Sequence, residues 1–204
     1  MRKNIGVLVS NKGTGSNLKA ILKAGFKVAV VIADREEAAG IEIAKKNNVP
    51  SKIIPYKRPE ELTSEEYRDS YSERVASLLN RHKINFAVLA GFNRILTKPY
   101  FDNFNGKTIN IHPGAVPENE SEMFVYNGVE IPWNQGMLTD SAVANFLPIK
   151  YASSTVHVVT EKADFGPVLK RAFVTVKKED SVETLYSRLK KAEHKALIEV
   201  LRKL

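Results

Sequence analysis

The 204-residue chain has no cysteine, so neither a disulfide framework nor a thiolate metal site is open to it. It also lacks any run of eighteen apolar residues, so no membrane-spanning helix is expected, and with a strand-like segment starting at once after Asn4 no signal-peptide core is expected either. Met1-Arg2-Lys3-Asn4 leads directly into a strand-like segment, and a cytoplasmic protein is expected. There is no arginine-rich tail and no alternation of basic with aromatic residues. The formal charge is +8, but the cations are scattered or sit on helix faces, as Arg188, Lys190, Lys191, Lys195, Arg202 and Lys203 do. A basic balance can serve nucleic acid or attract small anionic substrates, but this scatter reads as a solvated basic surface rather than a nucleic-acid groove. The four histidines lack metal-ligand spacing, so no metal is expected. With no linker, low-complexity segment or repeat, residues 1–204 are expected to form one domain.

What is present reads as alternating strands and helices. Ile5–Val9 is an apolar strand followed by a glycine-rich turn and by Leu18, Ile21 and Leu22 at helical spacing. Lys27–Ala33 is a β-branched run of the kind buried on both faces of a parallel sheet. Glu36–Asn47 has helical composition, Ser51–Ile54 is a short strand, and Ser64–Leu79 carries Tyr67, Tyr71, Val75 and Leu78/Leu79 on one helical face. Phe86–Ala90 and Lys107–Ile111 complete the series. This order predicts an α/β fold with a doubly wound, mostly parallel sheet flanked by helices. Ligands bind beyond the carboxyl ends of the strands in such sheets. Gly114–Tyr151 reads as irregular apart from a helix expected from Met137 to Phe146. Ser154–Val159 and Val168–Val176 then read as an antiparallel pair added to the sheet. Asp180-Ser181-Val182-Glu183 resembles a capping box opening a long final helix.

Three constellations carry chemistry. Gly13-Thr14-Gly15-Ser16-Asn17-Leu18 links the first strand to a helix, where backbone N–H groups and the helix dipole favour a phosphate. Leu18 stands at the third glycine position of a dinucleotide fingerprint, so that fingerprint fails; Asp34, after the second strand, is weak support for a ribose site. Asn110 and His112 are two apart on an extended segment, so both side chains face the same side. An amide and an imidazole there can stabilise an oxyanion and move one proton. Asp164, before Gly166-Pro167, satisfies turn chemistry by itself. If it meets His112, it favours the imidazolium. His157 reads as core or edge structure, and Glu193 flanks the buried stripe of the last helix, either as a solvent-facing charge or reaching the sheet edge to bind a cation.

The segments VLVSNKGTGSNLKAIL, LAGFNRIL, INIHP and STVHVVTEKADFGPV, with the late Glu193-His194, resemble phosphoribosylglycinamide formyltransferases in order and spacing over nearly the whole chain. The resemblance implies a formyltransferase-like Rossmann variant with antiparallel C-terminal strands. It implies transfer of a formyl group from 10-formyltetrahydrofolate, as co-substrate, to the amine of 5-phosphoribosylglycinamide in purine synthesis. Asn110, His112 and Asp164 match the catalytic residues, and Gly15, Ser16 and Asn17 match the loop that grips the substrate phosphate. Glu193 matches a residue contacting the ribonucleotide. Asn93, Arg94, Ile95 and Leu96 match the pterin pocket, and Glu161 falls in a loop expected to touch folate. Small-molecule partners and a monomer or homodimer are implied.

There are departures from the family pattern. The glycine loop is about two residues longer, and Ser64 stands where many members have an arginine. Residues 114–136, with acidic Glu118, Glu120 and Glu122, replace the usual substrate loop, and Ser141 lies near the place of a later histidine. A related formyltransferase acting on a sugar nucleotide, a formyltetrahydrofolate hydrolase and a non-catalytic basic protein binding anions or RNA are the competing readings. Chain length disfavours the hydrolase and methionyl-tRNA formyltransferase.

Overall fold

The structure, a computed structural model, describes residues 3–10 and 13–204; Met1, Arg2 and the Asn11-Lys12 pair of the glycine-rich turn lie outside the described residues. The chain forms two compact units, residues 1–109 and 110–204. The first contains β1 (Ile5–Val9), α1 (Ser16–Lys23), β2 (Val28–Ala33), α2 (Ala39–Lys46), β3 (Ser51–Ile53), α3 (Ser64–Arg81), β4 (Phe86–Leu89) and α4 (Lys98–Asn103). β1 pairs in parallel with β2 and β4, and β2 pairs in parallel with β3. The winding therefore runs outward from β1 through β2 to β3 and then reverses to β4. The loops after β1 and β4 flank that reversal, where such sheets take ligands.

Burial explains the strand pattern. Every residue of β1 and five of the six in β2 are buried, so apolar side chains are needed on both faces. α3 buries Tyr67, Tyr71, Val75 and Leu79, the face expected from its spacing. It opens on a capping box in which Thr63 accepts from the Glu66 N–H and the Glu66 carboxylate accepts from the Thr63 N–H. α2 starts later than its composition suggested. Residues 35–38 first make a turn closed by the Ala38 N–H on the Arg35 carbonyl. Gly40 then lets the helix lie directly against Val9, whose methyl groups leave no room for a Cβ. α4 was not anticipated: with Pro99 in its first turn it is a single short helical segment without a full amphipathic period.

The second unit holds the end of β5 (Lys107–His112), then β6 (Phe124–Tyr126), β7 (Val129–Ile131), α5 (Thr139–Ala144), β8 (Tyr151–Val158), β9 (Val168–Thr175) and α6 (Val182–Lys203). The main sheet has seven strands in hydrogen-bonded order β3-β2-β1-β4-β5-β8-β9, and β8 and β9 are antiparallel. The fold is thus mostly parallel α/β with antiparallel C-terminal strands. Within this unit Ala115, Ile131, Val143, Phe146, Ala152, Leu185 and Leu189 form a core cluster.

The expectation that residues 114–151 are irregular needs correction. β6 and β7 form an antiparallel hairpin pairing Phe124 with Ile131 and Tyr126 with Val129. Its two-residue turn is Asn127-Gly128, with φ of 49° and 75°. Both residues tolerate the left-handed region, and the resulting twist matches that of the strands. α5 is also shorter than the expected 137–146, and β8 begins at Tyr151 rather than Ser154. At the last helix the cap is Ser181 with Thr184, not Glu183: each side chain accepts from the other's backbone N–H.

Candidate active site

Asn110 and His112 lie at the carboxyl end of β5. Asp164 lies in the loop joining β8 to β9, with a left-handed φ of 50°. Gly166 makes that loop possible, because a Cβ there would collide with the Val158 carbonyl. Asp164 thus sits in the turn its sequence context predicts. His112 Nδ1 lies 3.3 Å from Asp164 Oδ1, and the Asn110 amide nitrogen lies 3.4 Å from the same oxygen. The amide, imidazole and carboxylate anticipated from sequence are therefore one cluster.

Both nitrogens of His112 face acceptors: Nδ1 faces the Asp164 carboxylate, and Nε2 lies 2.7 Å from the Trp133 carbonyl oxygen. A neutral imidazole has only one N–H, so only the doubly protonated ring donates to both. Burial would raise the Asp164 carboxyl, but the His112 hydrogen bond and charge, with the Gly136 N–H at 2.9 Å, hold it below the usual carboxylate range. Asp164 is thus an anion, suited to a charged imidazole.

His157 is more involved than a plain core residue. A register shift after Val156 pairs His157 with Val168 and leaves Leu169 of β9 as the extra residue, an irregularity common beside sites. Its Nε2 lies 3.4 Å from the Asn110 amide nitrogen, and its Nδ1 lies 3.0 Å from the Val158 carbonyl. Burial pushes His157 down to about 4, outweighing the Val158 hydrogen bond; nearby His112 lowers it further. A neutral ring donating from Nδ1 leaves Nε2 free to accept from Asn110.

Sequence reasoning missed the segment 133–136. The Trp133 indole N–H donates to the Asp164 backbone carbonyl at 2.7 Å, and the Gln135 amide donates to the Ala163 carbonyl at 2.9 Å. Asn134 is buried and donates to the carbonyls of Pro113 and Ala142. The sole tryptophan beside a proline was a signal that something was being anchored, but not to what. Glu193 is 3% exposed on α6, and Ser154 Oγ lies 3.2 Å from both its carboxylate and the His112 backbone carbonyl. Burial pushes Glu193 up to about 7, against the lowering effects of Ser154 and Lys190.

In the first unit, Gly15 caps α1 in the left-handed region with φ of 69°, where a Cβ would collide with Ile43. No acidic residue occupies the first turn of α1. Asn17 Oδ1 is buried without a partner; a flipped amide would place a donor there. Ser10 joins this loop to the segment after β4: its N–H donates to the Gly91 carbonyl at 3.2 Å, and its hydroxyl accepts from the Asn93 N–H at 3.0 Å. Ile95 is exposed and Leu96 buried. The Arg94 guanidinium bonds the fully buried Asp34 at 2.7 Å and lies over the Tyr56 ring. Asp34 is thus the partner of Arg94.

Residues 3–201 match the family model described as Formyl transferase. The chain belongs to the formyl transferase family. It is 30% identical over 204 residues to the bovine (Bos taurus) trifunctional purine biosynthetic protein adenosine-3, an alignment covering 95% of this chain but only 17% of that protein. It is 27% identical over 198 residues to phosphoribosylglycinamide formyltransferase of Bacillus subtilis, covering 94% of this chain and 90% of that one. A crystal structure of glycinamide ribonucleotide transformylase 1 from Symbiobacterium toebii superposes with a TM-score of 0.78 at 31% identity, covering 98% of this chain and 86% of the other.

Ser64 is the first residue of α3, so no cationic side chain stands there. Glu118 and Glu120 of the acidic loop are paired with Arg171 and Lys162 respectively. Their charge is largely offset. Ser141 is exposed on α5, and Glu161 is exposed in the loop before Asp164. Among the described residues no group of three or more His, Asp or Glu is placed to hold a metal ion, and no helix is long and apolar enough to cross a membrane.

Proposed function

We propose that this protein transfers the formyl group of 10-formyltetrahydrofolate to the amine of 5-phosphoribosylglycinamide, with Asn110, His112 and Asp164 as the catalytic residues. The observation that carries the reading is the placement of one Asp164 oxygen against both the His112 imidazole and the Asn110 amide. The substrate amine attacks the formyl carbon, and the carbonyl oxygen becomes a tetrahedral oxyanion. The Asn110 N–H and the protonated His112 donate to that oxygen, and Asp164 holds the imidazole charged and oriented. The new C–N bond is retained and the bond from formyl carbon to folate N10 breaks. The proton lost by the attacking nitrogen is delivered to N10, with His112 and a water beside Asp164 as carriers.

The N-terminus of α1, with Gly15, Ser16 and Asn17, is assigned to the substrate phosphate. Its support is the left-handed glycine cap and the absence of acidic residues in the first turn. Asn93, Arg94, Ile95 and Leu96 are assigned to the pterin, Glu161 to the folate, and Glu193 to the ribonucleotide. Because Asp34 holds Arg94, its backbone is the contact offered to folate rather than its guanidinium. We take residues 1–204 as one functional domain without a metal.

The test is spectrophotometric. The purified protein is expected to form tetrahydrofolate from the 10-formyl compound only when the glycinamide ribonucleotide is present. His112→Ala and Asp164→Asn should each lower kcat by roughly two to four orders of magnitude, the range for acid–base and oxyanion groups. Near-native turnover in either folded variant rules out this assignment. Turnover only with an amino sugar nucleotide would replace the acceptor.

A further inference from the structure

His112 is 3% exposed, and each of its two ring nitrogens already has an acceptor within the protein. A substrate oxygen can therefore accept from His112 only by taking the place of one of them. Displacing Asp164 would remove the anion that matches the imidazolium. The Trp133 carbonyl is the partner that can leave. It is an amide oxygen, as is the oxygen of an N-formyl group, and it lies 2.7 Å from Nε2. By contrast, the Asn110 amide lies 3.4 Å from each of its acceptors, His157 Nε2 and Asp164 Oδ1, and is only weakly engaged.

We propose that residues 133–136 are a self-inhibitory cap in which the Trp133 carbonyl occupies the position of the transferred formyl oxygen, and that formyl folate binds productively by displacing it. The inference rests on the proposed formyl transfer and adds how access to its catalytic histidine is controlled. Gly114 lets the carbonyl approach, since a Cβ there would collide with the Trp133 oxygen and come within 2.7 Å of His112 Nε2. Three bonds to the Asp164 loop hold the cap: the Trp133 indole to the Asp164 carbonyl, Gln135 to the Ala163 carbonyl, and the Gly136 N–H to the Asp164 carboxylate.

The cap also has a local hinge. Asn134 and Gly136 stand at φ of 59° and 70°, in the left-handed region. Asparagine passes between that region and ordinary backbone at small cost. The Asn134 side chain is meanwhile anchored to Pro113 and Ala142. Rotation of the Trp133–Asn134 peptide withdraws the carbonyl from His112 without displacing the β6–β7 hairpin.

Two measurements test the cap. Binding is measured without an amine acceptor, using 10-formylfolate and, separately, folate lacking the formyl group. Trp133→Phe keeps an aromatic ring but loses the indole N–H. It is expected to bind 10-formylfolate about fivefold more tightly than the native protein, the weight of one neutral hydrogen bond, with affinity for folate unchanged. Gln135→Ala, at an exposed position, should act in the same direction if Trp133→Phe fails to fold. In parallel, nitrogen-15 NMR of the ligand-free protein should show a His112 Nε2–H that exchanges slowly in the native protein and faster in both variants. Unchanged or weaker binding of 10-formylfolate by the folded variants, or an equally protected Nε2–H, overturns the proposal. If neither folate binds to any form, the formyl-transfer reading fails instead, and the exchange measurement alone decides the cap.

Discussion

Burial sets the protonation of the two least conspicuous residues of the site. Glu193, buried on α6 with only Ser154 as a neutral partner, is pushed up to about 7. Below about pH 4.5 folded and unfolded chains both hold this proton, while between about 4.5 and 7 only the folded chain keeps it. Its contribution is therefore full at low pH and is lost as pH rises through 7. Glu193→Gln preserves shape and removes the titration. From pH 4.5 to 8 the native protein should lose up to about 3 kcal/mol relative to this variant in urea unfolding. Parallel pH profiles would show that Glu193 is solvated. His157 works in the opposite sense: depressed from 6.5 to about 4, it favours the fold above 6.5, and that contribution is lost as pH falls through 4. The native-minus-variant difference isolates Glu193 from it.

At the scale of elements, legibility followed burial on two faces. β1, β2 and β4 were readable because nearly every position in them is apolar, and α3 because its tyrosines and Val75 recur at helical spacing. The β6–β7 hairpin was overlooked although Asn127-Gly128 between Phe124-Val125-Tyr126 and Val129-Glu130-Ile131 is a strong turn signal. Three-residue strands carry too little alternation to stand out beside neighbouring prolines. The turn can be tested directly, since a Cβ at Gly128 meets nothing within 4 Å. Gly128→Ala should cost about 1–2 kcal/mol in chemical unfolding, purely from the left-handed backbone, and Gly128→Asn less. An equal cost for both substitutions would point to a packing effect.

For the whole molecule, the +8 charge is the property with the most direct functional consequence. A positive field raises the encounter rate of anionic substrates and is screened by salt. If formyl transfer to a phosphorylated amine is the reaction, kcat/KM should fall several-fold between low salt and about 0.5 M sodium chloride, with kcat nearly constant. A flat kcat/KM would indicate that the surface cations do not steer substrate. Glu118 and Glu120 contribute little local repulsion, because they are offset by Arg171 and Lys162.

Sequence by itself determined the parallel α/β plan, the antiparallel strands near the end and the three polar residues with the right chemistry. These follow from local rules: burial period, turn chemistry and the two-residue spacing that puts Asn110 and His112 on one side of a strand. Only the tertiary structure decided which groups those residues meet. Asp164 comes against His112 because Gly166 lets the β8–β9 loop pass close to Val158. Trp133 closes on the imidazole because Gly114 leaves space for a carbonyl. Neither contact leaves a periodic trace in the chain. Both depend on approaches between residues twenty or more positions apart, which packing brings about and sequence spacing does not encode.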